Sequence, residues 1–107
     1  MSGRQDVADV VTRMLHAVDT LDWSAARATL ADKVEIDYTS LFGGEVETLD
    51  ADALVERWQG LLPGFDATQH LTGPVLVSDL GSDTASCLTQ VRAYHYLVDG
   101  EARRVWM

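Results

Sequence analysis

Apolar side chains near the start of the chain recur at spacings of three, four and seven residues. One face of an α-helix has this period, because each turn holds about 3.6 residues. The pattern predicts a first helix over residues 6–20 and places Asp19 on its apolar face. A short second helix is predicted over residues 23–30, because Asp22 stands at the N-cap position and can accept from the first free N–H groups.

The period then changes from helical to alternating. Val34, Ile36 and Tyr38 alternate with acidic residues, which is typical of a strand with one buried face. Tyr38 is therefore expected on the buried face of this strand. The glycine pair 43–44 predicts a turn, after which residues 45–49 return as a second strand.

A third helix is predicted between Asp50, at its N-cap, and the Pro63–Gly64 pair, which ends it. Its buried side is expected to carry Leu54, Trp58 and Leu61. The rest of the chain is typical of antiparallel sheet, with strands at residues 68–78 and 85–98, a turn at 80–83, a hairpin at 99–100 and a further strand from 102. The first of these strands is expected to bend at Gly73–Pro74, because proline cannot donate to a neighbouring strand.

The long strand over residues 85–98 has two different faces. One face is mostly apolar and suits a pocket wall; it carries Ala85, Cys87, Thr89, Val91, Ala93, His95 and Leu97. The other face is mixed and carries Ser86, Leu88, Gln90, Arg92, Tyr94 and Tyr96. Tyr and Arg are enriched in subunit interfaces, so we expect a homo-oligomer that forms through Arg92, Tyr94 and Tyr96.

Length and element order indicate the fold class. A chain of 107 residues is one domain, residues 1–107, and its 47% apolar content can form a core. Helices set apart from an antiparallel sheet make the predicted class α+β.

Charge and targeting signals narrow the partners. The net charge is −9 with only eight Lys and Arg, which argues against nucleic acid and anionic membranes, since both require a basic patch. No apolar run is long enough for a membrane span, and the first nine residues lack the apolar core of a signal peptide. Cys87 is the single cysteine and cannot form an internal disulfide, so a cytoplasmic location is expected.

Three side chains are candidates for acid–base chemistry. Asp19 lies on an apolar helix face, where a carboxylate must be paired, unless it turns to solvent or caps the helix end. His70 and His95 lie on neighbouring predicted strands. An acid can hold one imidazole in a chosen tautomer, although a histidine on an apolar strand face is often structural. Zinc or iron binding is the weaker alternative, because the spacing matches no local metal signature.

Four segments together resemble a known family: residues 19–23 (DTLDW), 36–38 (IDY), 68–73 (TQHLTG) and 92–95 (RAYH). They are similar to the SnoaL-like branch of the nuclear transport factor 2-like superfamily, and within it to the scytalone dehydratases. The resemblance covers nearly the whole chain. It implies a curved antiparallel sheet wrapped by three helices into a cone (a cystatin-like roll), which encloses an apolar pocket.

The resemblance also implies roles for individual residues. Asp19 would orient a histidine, His70 and His95 would be the acid–base pair, and Tyr38 would bind the substrate oxygen. The implied activity is that of a cofactor-free, metal-free lyase or isomerase, dehydratase-like, on a small cyclic apolar ketone or alcohol. Val18 stands where the dehydratases have a second tyrosine, which argues against the same substrate. Apolar contacts to the ligand are expected from Val18, Trp58 and Val91.

The family usually continues beyond the strand that begins at residue 102. The sequence is therefore expected either to be a fragment lacking the last strand or to have its missing wall supplied by a partner. The fold also hosts non-catalytic members. A small-molecule-binding or oligomerisation module is accordingly the alternative function.

Overall fold

The computed structural model describes residues 3–99 and 102–106. The helices are α1 (Arg4–Asp19), α2 (Trp23–Ala28), α3 (Thr39–Phe42) and α4 (Ala51–Leu61), and a 3-10 turn (Leu62–Gly64) follows α4. The strands are β1 (Lys33–Ile36), β2 (Glu47–Asp50), β3 (Ala67–Thr72), β4 (Leu76–Ser78), β5 (Ser86–Leu88), β6 (Val91–Asp99) and β7 (Ala102–Trp106). The predicted α+β class is confirmed. Within the described ranges, no helix is long and apolar enough to cross a membrane.

The first two helices form as their sequence patterns predict. The carboxylate of Asp22 accepts a hydrogen bond from the backbone N–H of Ala25 at 3.1 Å, which is the expected N-cap contact of α2. Ala26 is fully buried between the helices. Its small side chain allows α2 to approach α1 closely.

The first strand ends two residues earlier than its alternating pattern predicts. The carboxylate of Asp37 accepts from the hydroxyl of Thr39 at 2.6 Å and from its N–H at 2.9 Å. These bonds stabilise a local turn, lower the pKa of Asp37 and start the short helix α3. Tyr38 therefore stands at the start of α3, 49% exposed, and not on the inner face of β1.

The third predicted helix corresponds to α4. Asp50 occupies its N-cap position without a side-chain capping bond, and its carboxylate lies 3.5 Å from Lys33 Nζ. Leu54 is buried as predicted, but Leu61 is 59% exposed and Leu62 is 6% exposed. The expectation that Leu61 faces inward is therefore wrong. The tighter 3-10 turn rotates the chain at the helix end, so the next leucine reaches the core.

The strands form three antiparallel sheets and not one closed cone. β1 pairs with β2, β4 with β5, and β3, β6 and β7 form a three-stranded sheet in the order β3-β6-β7. The predicted long strands are each interrupted, one at Gly73–Pro74 and the other after Leu88. The two breaks face each other, because Gly73 N–H donates to Gln90 O at 2.9 Å and Thr89 Oγ1 donates to Gly73 O at 3.1 Å. β3–β4 and β5–β6 are therefore one hairpin ribbon with a shared bend.

Register determines which residues of the sheet share a face. His70 pairs with Ala93 and Thr68 with His95, so these four residues lie on one face of the β3–β6 pair. Beyond β6, Asp99 pairs with Ala102 of β7; the predicted hairpin residue Gly100 lies outside the described residues.

The core that positions the site lies between the helices. It consists of Ala17, Val18, Ala26 and Leu62, with Trp23 and Trp58 packed against it. Val18 is the residue directly before Asp19 at the end of α1. Helix packing therefore fixes the position of the last turn of α1.

We expect Leu62→Ala to lower the free energy of unfolding by about 2–5 kcal/mol, because it loses buried apolar surface and leaves a cavity. Leu61→Ala is the matched control: the same substitution one residue earlier, on an exposed side chain, should change the free energy by less than about 1 kcal/mol. Urea denaturation followed by tryptophan fluorescence measures both. Equal losses in the two variants would contradict the burial described for the end of α4.

Candidate active site

Asp19 is the last residue of α1, and its side chain turns toward β3 and not to solvent. The helix packs against β3, and only 16% of the Asp19 side chain is exposed. A carboxylate this far removed from water must be compensated by hydrogen-bond donors.

Three donors, all from β3, surround the Asp19 carboxylate. Oδ1 accepts from the hydroxyl of Thr68 at 2.9 Å and lies 2.7 Å from Nδ1 of His70. Oδ2 accepts from the backbone N–H of His70 at 2.7 Å. The alternatives left open by the sequence, that Asp19 faces solvent or caps its helix end, do not hold in the structure.

The hydrogen bond from the His70 backbone N–H to Asp19 Oδ2 stabilises the edge of the sheet. β3 is an edge strand of its described sheet, and an unpaired N–H at a covered edge destabilises the fold. The Asp19 carboxylate satisfies the N–H of His70 at this edge. Asp19 therefore joins the end of α1 to the sheet and contacts the His70 ring at the same time.

The contact with Asp19 determines how His70 presents its ring. An ionised carboxylate can only accept hydrogen bonds, so the 2.7 Å contact places a proton on Nδ1. In the neutral imidazole, Nε2 then carries the lone pair and can act as a base. The His70 side chain is 16% exposed, so the ring is sheltered but still reachable.

His95 lies beside His70 but is held differently. Its ring centroid is 6.2 Å from that of His70, with the ring planes nearly perpendicular at 80°. On another side the ring of Phe65 lies at a centroid distance of 4.9 Å. The orientation of His95 therefore depends on ring contacts, whereas that of His70 depends on a charge-assisted hydrogen bond.

The structure thus brings Asp19, His70 and His95 together, along with two residues that the sequence analysis did not single out. Thr68 belongs to the motif of residues 68–73, in which the resemblance assigns a role to His70 alone, and Phe65 lies just outside that motif. Phe65 follows the Pro63–Gly64 turn directly and precedes β3, so an aromatic side chain at that junction was the available signal.

The other predicted contact residues lie in different surroundings. Val18 is 5% exposed and belongs to the core between the helices, and Trp58 packs against the same core. Val91, at the start of β6, is 51% exposed. Tyr38 lines a separate open cavity of about 230 Å³, whose other lining residues are Ile36, Gly43, Gly44, Glu45, Glu47 and Arg57. The glycines there have φ of 72° and 79°, a backbone conformation that favours glycine.

The site offers few ligands for a metal ion. Asp19 and His70 could each supply one ligand atom, but no group of three or more His, Cys, Asp or Glu side chains comes together within the described part of the chain. Cys87, the single cysteine of the chain, lies exposed on β5.

Comparison with solved structures identifies the fold. The fold matches a crystal structure of the Kfla4162 protein from Kribbella flavida, with a TM-score of 0.82 and 23% identity. It also matches a crystal structure from Novosphingobium aromaticivorans described as a candidate scytalone dehydratase, with a TM-score of 0.72 and 16% identity. These similarities show the nuclear transport factor 2-like fold.

The two matches are longer than this chain. The alignments cover 95% and 92% of this chain but 72% and 64% of those two proteins, respectively. A comparison with curated proteins finds no match.

The family follows from the sequence itself. The model of the SnoaL-like domain matches residues 1–107, so the chain belongs to the SnoaL-like domain family. The sequence-based assignment to this family is therefore confirmed.

We expect Asp19→Asn to speed the exchange of the His70 backbone amide hydrogen by about tenfold or more. The substitution replaces the charged carboxylate by a neutral amide. One of the two acceptor oxygens becomes an NH2 group, which then faces other hydrogen-bond donors. Hydrogen exchange measured by NMR reports this directly. Asp6→Asn is the matched control, because it makes the same change of charge at an exposed position on α1. Unchanged exchange at His70 in Asp19→Asn would contradict the edge contact.

Proposed function

We propose that this protein is a cofactor-free lyase or isomerase that acts on a small cyclic apolar ketone or alcohol by acid–base chemistry. The SnoaL-like family includes cofactor-free isomerases and dehydratases, which supports the reaction class. The observation that carries the proposal is the Asp19–His70 pair: a mostly buried carboxylate, held by two further donors, in contact with an imidazole.

His70 is the proposed base. Abstraction of a proton next to a carbonyl requires a base whose lone pair is fixed in direction. The contact with Asp19 places a proton on Nδ1 and leaves the lone pair on Nε2. When Nε2 takes up the substrate proton, the imidazolium is stabilised by the adjacent carboxylate.

His95 is the proposed acid. With ring centroids 6.2 Å apart, the two imidazoles can reach one small substrate from the same side. In a dehydration, Nε2 of His70 removes the α-proton, and the electrons of the C–H bond form an enolate. The enolate then forms a carbon–carbon double bond as the bond to the β-hydroxyl breaks, and His95 donates the proton that lets the hydroxyl leave as water. In an isomerisation, a proton would return to a different carbon.

The preference for an apolar ring is supported by the neighbours of His95. One face of β6 carries Val91, Ala93, His95 and Leu97, and the ring of Phe65 packs beside His95 on this face. We propose that Val91 contacts the ligand on this face. Tyr38, Val18 and Trp58 have no ligand contact in this proposal, because Tyr38 lines a separate cavity and the other two pack in the core between the helices.

A second candidate is supported by the open arrangement of the sheets. A non-catalytic ligand-binding module of the same fold would use the same apolar face without proton transfer. Such a module would show a ligand-dependent rise in melting temperature without turnover.

We expect His70→Ala and His95→Ala each to lower activity at least ~100-fold with the fold intact, because each removes a proton-transfer group. Two probes cover the reaction classes: α-proton exchange of cyclohexanone and 2-tetralone in D₂O by NMR, and enone formation from a β-hydroxycyclohexanone by absorbance. His16→Ala is the matched control, since His16 is exposed on α1. Wild-type rates in either site variant would refute its role, and binding without turnover of any probe would favour the second candidate.

We also propose that the chain assembles with copies of itself through the outer face of its sheet. On β3 and β6 this face carries Ala67, Gln69 and Leu71 opposite Tyr96, Tyr94 and Arg92. Leu71 is 48% exposed, and the face combines apolar, aromatic and Arg side chains as subunit interfaces do.

Light scattering at micromolar concentration should show a mass above that of the monomer, and Tyr94→Glu should reduce it, because a charge would be buried in the interface. Leu61→Glu adds the same charge at an exposed position elsewhere and should leave the mass unchanged. A monodisperse wild-type monomer would contradict the assembly.

A further inference from the structure

We propose that Thr68 is a positioning residue, whose hydroxyl fixes the Asp19 carboxylate so that His70 keeps its Nδ1–H tautomer. This inference rests on the proposed function, because the tautomer matters chemically only if His70 acts as a base. Thr68 itself touches neither a substrate nor a reacting atom. It acts through Asp19.

The argument begins with how the donors share the carboxylate. Thr68 Oγ1 donates to Oδ1 at 2.9 Å, and Nδ1 of His70 lies 2.7 Å from the same oxygen. Oδ2 is occupied by the backbone N–H of His70. The backbone bond holds one oxygen in place but leaves the carboxylate free to turn about it. The imidazole contacts Oδ1 as well, but its ring can turn together with the carboxylate. The hydroxyl of Thr68 is the second contact on Oδ1, and it limits this joint rotation and keeps Oδ1 in line with the imidazole.

The side chain of Thr68 is well suited to this task. Threonine is branched at Cβ, so its χ1 angle is restricted and its hydroxyl direction is preset by the strand. Thr68 and His70 are two residues apart on β3 and therefore face the same side. Thr68 also pairs with His95 in the register, so its position is fixed by the strand pair that carries both histidines.

The chemical consequence concerns the location of the imidazole proton. With the hydroxyl of Thr68 holding Oδ1 beside the imidazole, Oδ1 can accept from Nδ1, and the imidazole proton stays on Nδ1. Without the hydroxyl, the carboxylate can turn and the imidazole can move its proton to Nε2. Nε2 would then be a donor and unable to abstract a proton.

A purely structural role is the competing explanation, since the same hydrogen bond also ties α1 to β3. Loss of stability alone would not distinguish the two. The tautomer of His70 does, because its imidazole ¹⁵N chemical shifts report the position of the proton in the free protein, without any substrate.

The experiment compares Thr68→Val with Thr72→Val. Both substitutions replace a hydroxyl by a methyl group on the same face of β3, but the Asp19 carboxylate accepts from Thr68 and not from Thr72. Thr68→Ser is the rescue variant, because it restores the hydroxyl. Each variant is examined by ¹⁵N NMR and by the kinetics of α-proton exchange with the ketone probe that the wild type turns over.

We expect wild type, Thr72→Val and Thr68→Ser to show the Nδ1–H tautomer of His70, and Thr68→Val to show a mixture with the Nε2–H form. In Thr68→Val we expect kcat to fall by about tenfold, the size expected for one hydrogen bond to a charged group, with KM within about twofold. If Thr68→Val does not fold, Thr68→Ala removes the hydroxyl without adding a methyl group and gives the same comparison.

If folded Thr68→Val or Thr68→Ala shows the same His70 spectrum as the wild type, the proposal is overturned. It is also overturned if Thr72→Val or Thr68→Ser shows the tautomer mixture. The proposed function fails separately. If the wild type holds the Nδ1–H tautomer and Thr68→Val loses it, yet no ketone probe exchanges its protons, then Thr68 positions Asp19 in a protein that is not this enzyme.

Discussion

One carboxylate connects the two halves of this fold. The end of α1 carries Asp19, and the donors that surround its carboxylate all belong to β3. Because the side chain is only 16% exposed, its charge is balanced mainly by these hydrogen bonds and little by water. The same contacts determine how α1 lies on the sheet and how the His70 ring is oriented. Anything that moves α1 relative to β3 therefore also moves the His70 ring.

The two histidines are held by different kinds of force. His70 is held by a directional, charge-assisted hydrogen bond, while His95 is held by contacts with the rings of Phe65 and His70. Hydrogen bonds to a charged acceptor fix an angle and a tautomer, whereas aromatic contacts leave a ring freer to rotate in its plane. A fixed imidazole beside a more adaptable one suits the proposed roles of base and acid, because the proton to be removed has one position and the leaving group moves away.

Much of the architecture was predictable, because period and capping are local properties of the chain. The 3.6-residue period placed α1, and it placed Asp19 on the buried face of that helix. The same patterns failed where local hydrogen bonds override periodicity. Asp37 ends β1 early by bonding Thr39, and the 3-10 turn brings Leu62 to the core in place of Leu61. The hydrogen bond between Asp19 and Thr68 spans 49 residues and leaves no local trace. The family resemblance implied only a histidine as the partner of Asp19, so this bond was not predicted.

Val18 and Asp19 are consecutive residues that face different environments, one the core between the helices and the other Thr68 and His70. A single peptide unit thus separates the packing that stabilises the fold from the carboxylate that orients the His70 ring. Substitutions that repack this core, as during adaptation to a new temperature, will shift the carboxylate as well. Stability and the orientation of the His70 ring therefore depend on the same helical turn, and neither can change far without a compensating change in the other.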